Sequence, residues 1–272
     1  MERVTLGRTI PRQRSLVILA TCGVLLVALM ASPASAGAAA PGIIPPQAQV
    51  GGRTYSQWSA AWWRWQLQSP NVPTNPSADP NPGTPSQPET VDCTLNQAGQ
   101  VWFLAGISFA QSFPATYRSC SVPAGVFLFF PVVAAWNDNL NCPPPPFTTT
   151  ADQLALNVQQ QTDGIVPGSM KATIDGVDVS GLADSSTAFR AAAGGFSYTL
   201  PSDTLLSAAF CSTSPIPAGT TTPPPGAFAD GVYILRAPLS MGVHHLHWTA
   251  QEVGGPLGPV SQDVTYTITV HG

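Results

Sequence analysis

The chain has 272 residues, only 9% of them charged, and a formal net charge of −4 at pH 7. With no run of basic residues, nucleic acid is a poor partner. Charged residues are sparse while Ser, Thr, Asn, Gln, Pro and Gly are abundant, which predicts a neutral and polar surface.

The first 36 residues have the three parts of a secretory signal peptide. Four arginines between Arg3 and Arg14 precede an apolar core at 16–30, and Ala34-Ser35-Ala36 has the small-x-small pattern of a cleavage site. The apolar run is shorter than the ~20 residues that span a bilayer. We therefore expect cleavage, secretion, and a mature protein without a membrane span.

The mature chain, residues 37–272, keeps six basic and thirteen acidic residues. Its length fits one large domain with a sizeable core. Four cysteines remain, an even number that predicts two disulfides in an oxidising compartment. We favour Cys93 with Cys120, which brackets one local unit, and by elimination Cys142 with Cys211.

A Pro-rich and small-residue segment at 37–52 predicts a flexible lead-in. The strongest helical signal follows, because Thr54 and Gln57 fit a capping box. The helix should end by Ser69, since Pro70 disfavours helical geometry in the residue before it. A second capping box at Thr150 opens a helix to about Thr162, with Gly164 as its cap.

The rest of the chain has the pattern of short strands between Pro-rich loops at 71–90, 143–149 and 214–226. Asp175-Gly176 favours a tight hairpin between 171–174 and 177–179. Strands are also predicted at 101–106, 126–133, 196–200, 232–236, 243–249 and 264–270. This order predicts a mainly β protein, an antiparallel β-sandwich of jelly-roll or immunoglobulin-like type with two packed helices.

Landmarks spread over most of the mature chain carry a family resemblance. They are Tyr55 to Trp63, Gly99 to Gly106, Arg118 with Cys120, Val122 to Gly125, Phe129 to Pro131, Ala229 to Gly231, Leu239, Gly242 with His244, and Asp263 to Tyr266. Together they resemble a family of bacterial secreted proteins of uncharacterised function. The resemblance implies secretion and a shared architecture, and it supplies no catalytic residues. Residues 239–270 also resemble the closing hairpin of immunoglobulin-like domains, at the level of fold alone.

Aromatic residues recur along the first helix at Tyr55, Trp58, Trp62 and Trp65, one helical face. This spacing favours a core-facing stripe. The alternative is an exposed platform for sugar rings, since flat aromatic faces bind such surfaces. Trp63 lies off the stripe and is the better candidate for ligand contact, with Trp62 beside it.

Three histidines lie in a predicted strand, where side chains alternate between faces. His245 and His247 should share one face and His244 the other. Two imidazoles begin a copper or zinc site, but a third ligand is needed and no motif supplies it. Hydrogen-bonded or solvent-facing histidines are the alternative. Asp230, close to a strand, is a further candidate for ligand contact, whereas Asp175 fits a turn cap.

Motifs for nucleophilic catalysis and for nucleotide binding are absent from the sequence, and no cofactor is expected. The leading hypothesis is a secreted, non-catalytic binding or structural protein of the cell envelope or surroundings, with a glycan or surface polymer as partner. One alternative is a secreted hydrolase whose site is assembled from distant loops, since triads are defined by geometry. The other is a metal-binding protein that uses His245 and His247.

Overall fold

The computed structural model describes residues 42–77, 83–106, 115–140, 149–206, 211, 215–255 and 258–272. All of them belong to one compact unit, Ala36–Gly272. The predicted signal peptide, Cys142 and nearly all of the Pro-rich segment 143–149 lie outside the described residues.

Both predicted helices form, and local signals fix their ends. Helix α1 spans Tyr55–Gln68, with Thr54 and Gln57 in a reciprocal capping box. Helix α2 spans Ala151–Asp163, begins at the cap Thr150 and ends at Gly164. No helix in the described part of the chain is long and apolar enough to cross a membrane.

The protein is mainly β, with two sheets that each mix parallel and antiparallel pairs. The six-stranded sheet has the order β1-β3-β10-β9-β5-β6, and the four-stranded sheet β2-β4-β8-β7. The strands are β1 Glu89–Thr90, β2 Val101–Phe103, β3 Thr116–Pro123, β4 Phe127–Asn137, β5 Lys171–Ile174, β6 Val177–Asp178, β7 Ala193–Phe196, β8 Ala227–Arg236, β9 Gly242–Gly255 and β10 Gly258–His271.

The expectation of a purely antiparallel arrangement is wrong. Strand β2 pairs in parallel with β4, and β3 pairs in parallel with both β1 and β10. The chain leaves β2, enters the other sheet as β3 and returns as β4, and a crossover of this kind allows parallel neighbours. The antiparallel pairs include the two hairpins, β5 with β6 and β9 with β10.

The four-stranded sheet is covered on both sides. Helices α1 and α2 both pack against β4 and β8. On the side that faces α1, Phe129 stacks on Tyr233 with ring centres 5.1 Å apart, and the Tyr233 hydroxyl accepts from Ser59 and Trp63 of α1. On the other side Phe130 meets Trp248 of β9, with ring centres 4.8 Å apart. The continuous burial of β4 and β8 follows from contact on both faces.

The predicted disulfide between Cys93 and Cys120 is present and fastens the segment before β2 to β3. Cys211 is disulfide-bonded, and its predicted partner lies outside the described residues.

The described part of the predicted flexible lead-in packs on the core. The amide of Ile44 donates to the Leu235 carbonyl at 2.8 Å, and the Tyr55 hydroxyl donates to the Ile44 carbonyl at 2.7 Å. Ile43 and Val50 are buried. Residues 42–50 therefore differ from the expectation of a loose segment, because their apolar side chains and backbone groups find partners on α1 and β8.

Candidate functional site

The tryptophans of α1 lie in the core. Trp62 and Trp63 are 3% and 5% exposed. The indole N–H of Trp62 donates to the Leu104 carbonyl at 2.8 Å, and that of Trp63 to the Tyr233 hydroxyl at 3.1 Å. The expectation that Trp63 and Trp62 contact a ligand is wrong, because α1 is covered well beyond its predicted stripe. Trp63 itself packs on Trp136, with ring centres 5.6 Å apart.

Asp230 is 3% exposed and serves an internal ion pair. The Arg190 Nε donates to both of its carboxylate oxygens, at 3.1 and 2.9 Å. Arg190 also pairs with Asp163 at the end of α2. Burial opposes the charge of Arg190, but the two carboxylates outweigh it and raise its pKa. Asp230 lines a cavity of about 550 Å³, yet both its oxygens are occupied by a contact that ties α2 to β8.

The outer side of the six-stranded sheet is exposed and polar, and we call it the open face. Leu246, Trp248 and Ala250 of β9 point inward and are buried, whereas the alternating positions between them are exposed or half-buried. The open face comprises Tyr117, Ser119, Ser121, Lys171, Thr173, Asp178, Val243, His245, His247, Thr249, Gln251, Ser261, Asp263, Thr265, Thr267 and Thr269.

Strand register arranges these side chains in rows across the sheet. The rows are Ser119, Thr267 and His245; then Tyr117, Thr265, His247 and Thr173; then Asp263, Thr249 and Lys171. Neighbours in a row lie about 4.8 Å apart, the spacing of paired strands. The open face is therefore a regular grid of hydroxyl and imidazole groups, with one cation and one carboxylate in its last row.

The histidines of the open face are bound to the neighbouring strand. His247 Nε2 lies 2.9 Å from the Asp263 carboxylate, and His245 Nδ1 lies 3.3 Å from the Thr267 hydroxyl. As predicted from alternation, the two share a face. Within the residues that the structure describes, no three His, Cys, Asp or Glu side chains group closely enough to hold a metal ion.

At the edge of the same sheet, three side chains form a hydrogen-bonded chain. Asp175, in the β5–β6 turn, accepts from Nδ1 of His244 at 2.7 Å. The Ser240 hydroxyl lies 3.2 Å from Nε2 of the same ring. The second Asp175 oxygen accepts from the His245 amide at 2.9 Å. A carboxylate, an imidazole and a hydroxyl in this order are the parts of a serine-hydrolase triad.

Two groups compete for Nε2 of His244. The Ser240 carbonyl oxygen lies 2.9 Å away, closer than the hydroxyl of the same residue. A protonated Nε2 donates to the carbonyl, whereas a neutral Nε2 accepts from the hydroxyl. Burial opposes the charge of Asp175, but its bonds to His244 and to the His245 amide outweigh burial and lower its pKa. The carboxylate thus stays ionised and orients the ring.

Comparison of the chain with protein-family models, with curated proteins and with solved structures finds no match.

The structure disperses the residues selected from sequence. Trp63 is buried between α1 and β8, Asp230 is bonded to Arg190, and His245 lies on the open face. Sequence reasoning missed Ser240 and assigned Asp175 only as a turn cap. Their meeting through His244 depends on the pairing of β5 with β9, and no local motif encodes that pairing.

Proposed function

We propose that this chain is a secreted bacterial protein that binds a neutral glycan through the open face. The observation that carries the proposal is the grid of hydroxyl and imidazole side chains, which presents donors and acceptors in rows across four strands. Sugar hydroxyls are both donors and acceptors, so a polysaccharide laid across the strands can pair with successive rows.

The composition of the open face favours a neutral glycan over other partners. Its charged groups are Lys171, Asp178 and Asp263, so the face carries no excess of cations. An anionic polymer or membrane surface selects an excess of cations. A protein interface concentrates aromatic and apolar side chains at its centre, and Tyr117 is the aromatic residue on this face.

The architecture that we propose is a β-sandwich with α1 packed outside one sheet. Support comes from the contact between Phe130 of β4 and Trp248 of β9, which brings one central strand of each sheet together. Such an arrangement leaves the outer side of the second sheet to solvent. It gives the open face a rigid support, as a binding surface requires.

Secretion rests on the basic start, apolar core and Ala34-Ser35-Ala36 pattern of the first 36 residues, and on the family resemblance. Expression of the full chain in a bacterial host should release a product that begins near Gly37. N-terminal sequencing of protein from the medium or periplasm tests this. Intact precursor in the cytoplasm, with free thiols at Cys93 and Cys120, would contradict it.

Binding is tested with residues 37–272 produced in oxidised form and applied to a glycan array and to insoluble polysaccharides. We expect retention on at least one neutral glycan. A double variant, Thr265→Val with His247→Ala, removes two groups of the central row and should weaken retention about tenfold or more. Valine preserves the shape and strand preference of threonine.

The matched control is Thr199→Val, an exposed threonine outside the open face. It should bind like the unaltered protein. Failure to bind any neutral glycan, or equal retention of the double variant and the control, would refute the proposal.

The Ser240, His244 and Asp175 chain favours a second candidate function, hydrolysis of carboxylic esters. In this reaction the Ser240 oxygen attacks the acyl carbon while Nε2 of His244 takes its proton. The alcohol leaves with that proton, and water then releases the acid from Ser240. Met241 and Val243, which are 69% and 60% exposed, flank the site and offer apolar contact to an acyl chain.

Hydrolysis is tested with p-nitrophenyl acetate and with a fluorophosphonate that labels active serines. If Ser240 is a nucleophile, mass spectrometry should find the label on Ser240, and Ser240→Ala should abolish turnover. Ser261→Ala, a serine elsewhere on β10, is the control. If Ser240 is not labelled, the hydrogen bonds among Ser240, His244 and Asp175 have a structural role. They would then attach the β8–β9 connection to the β5–β6 turn.

A further inference from the structure

A second cavity lies between α1 and β7, apart from the open face. Its volume is about 520 Å³, within the roughly 300–1,000 Å³ of small-molecule pockets. Small residues, Ala60, Ala192, Ala193, Gly194 and Gly195, leave the space, and Phe196 forms one wall. The polar side chains at its border are those of Arg53, Ser56, Gln57 and Arg64.

Two of the six basic residues of the mature chain meet at this cavity, and no acidic residue is among those that line it. Neither Arg53 nor Arg64 forms an ion pair with a carboxylate in the described part of the chain. Arg190, by contrast, pairs with two carboxylates, those of Asp163 and Asp230.

The contacts of the two arginines position their cations without neutralising them. Arg53 lies over the Trp58 ring, 4.9 Å from its centre, and Arg64 lies 5.4 Å from the centre of the Phe196 ring. Arg64 Nε donates to the Ser197 carbonyl at 2.9 Å, which leaves its two terminal nitrogens without a bond to the described residues. Stacking on aromatic rings holds a guanidinium in place while its N–H groups remain available.

The two charges act on each other. Burial lowers the pKa of Arg64, and the positive charge of Arg53 lowers it further. In addition, α1 begins at this cavity and has no acidic residue in its first turn, so its amide dipoles add positive potential. An anion in this cavity would relieve the repulsion, and a guanidinium is a strong donor to an oxyanion.

We propose that this cavity, which we call the two-arginine pocket, binds a single oxyanion, a carboxylate or a sulfate, carried on a ligand of about one sugar ring. The arginines take the oxyanion, and the Ser56 hydroxyl and Gln57 amide lie at the border to meet ring hydroxyls. The proposal does not depend on the open face, since the two surfaces share no residue.

The test uses residues 37–272 and isothermal titration with three probes: glucuronate, glucose 6-sulfate and neutral glucose. We expect the first two to bind and glucose to bind at least tenfold more weakly. The relative affinity of the two anions shows whether carboxylate or sulfate is preferred. Arg53→Gln and Arg64→Gln should each weaken anion binding at least fivefold, and 0.5 M NaCl should weaken it as well.

Gln160→Glu is the matched control, because it lowers the net charge by one at an exposed position of α2, away from the pocket and from the open face. It should leave anion binding within twofold of the original. Arg53 is exposed, so Arg53→Gln should melt like the original protein and remains informative even if Arg64→Gln is destabilised. Failure of both anions to bind, or equal losses in Gln160→Glu and Arg53→Gln, would overturn the proposal.

Discussion

The two sheets differ in what covers them. The four-stranded sheet packs against α1 on one side and contacts β9 of the six-stranded sheet on the other, and its aromatic side chains and the indole N–H groups of α1 make internal contacts. In the described part of the chain, the six-stranded sheet is covered on one side only. Several of its outward hydroxyl and imidazole groups bond to neighbours within the sheet, but they lie at an exposed or half-buried surface where a ligand can reach them. The difference separates side chains that hold the fold from side chains that can recognise a partner.

The largest expected loss of stability follows from a change in the core between α1 and the four-stranded sheet. Trp62→Ala removes a buried ring and the bond to the Leu104 carbonyl. Loss of such a ring costs about 3–5 kcal/mol of unfolding free energy. Urea denaturation followed by circular dichroism measures it. A loss below about 1 kcal/mol would show that α1 contributes little to the core.

Removal of the Cys93–Cys120 disulfide should cause the second-largest loss of unfolding free energy. It closes a loop of sequence separation 27, and the chain-entropy estimate for a loop of that length is about 3.5 kcal/mol. The double variant Cys93→Ala with Cys120→Ala should lower the free energy of unfolding by an amount of this order. A variant as stable as the original would show that the segment before β2 is held by its other contacts.

Stability should also depend on pH through Glu252, a carboxyl at the inward side of β9. Burial raises its pKa to about 7 from 4.5. The folded state then binds the proton more tightly than the unfolded state, so stability falls as pH rises from about 4.5 to 7 and levels off above that. The change amounts to a few kcal/mol by order of magnitude.

Glu252→Gln should flatten this dependence. Denaturation at pH 4.5, 6 and 7.5 measures it, with Glu89→Gln on the half-buried strand β1 as the control. If the slope between pH 4.5 and 7 persists in Glu252→Gln, another group is responsible.

The smallest effect on stability is expected on the open face. Thr265→Val and His247→Ala should each change the free energy of unfolding by no more than about 0.5 kcal/mol, as is usual for surface positions. The same substitutions should weaken glycan binding. Large destabilisation by either one would show that the open face contributes to the fold and would remove the contrast between the two sheets.

Local signals in the sequence predicted much of this fold. Thr54 with Gln57 and the following Pro70 fixed the ends of α1, and Asp175-Gly176 marked the β5–β6 hairpin. Strand β3 was missed, because its buried positions include Arg118 and Thr116, which do not give an apolar alternation. The parallel pairs were missed as well, since strand direction depends on contacts between distant segments.

The candidate sites were harder to predict from the sequence than the helices and strands. Helical periodicity placed Trp63 away from the core, yet its indole lies between Trp136 and Tyr233 because a second element covers that side of α1. Alternation correctly put His245 and His247 on one face, but the rows that they share with Thr265 and Thr267 follow from register. The cavity lined by Arg53 and Arg64 forms only because β7 packs beside α1, which the sequence does not reveal.

The most direct measurement is the mapping of a bound glycan by NMR. Isotopically labelled residues 37–272 are titrated with an oligosaccharide of the glycan retained in the array, and amide shifts are followed. The account predicts that the largest shifts fall on β3, β5, β9 and β10, around Thr265, Thr267 and His247. Shifts confined to α1, β7 and β8, with the open face unchanged, would contradict it.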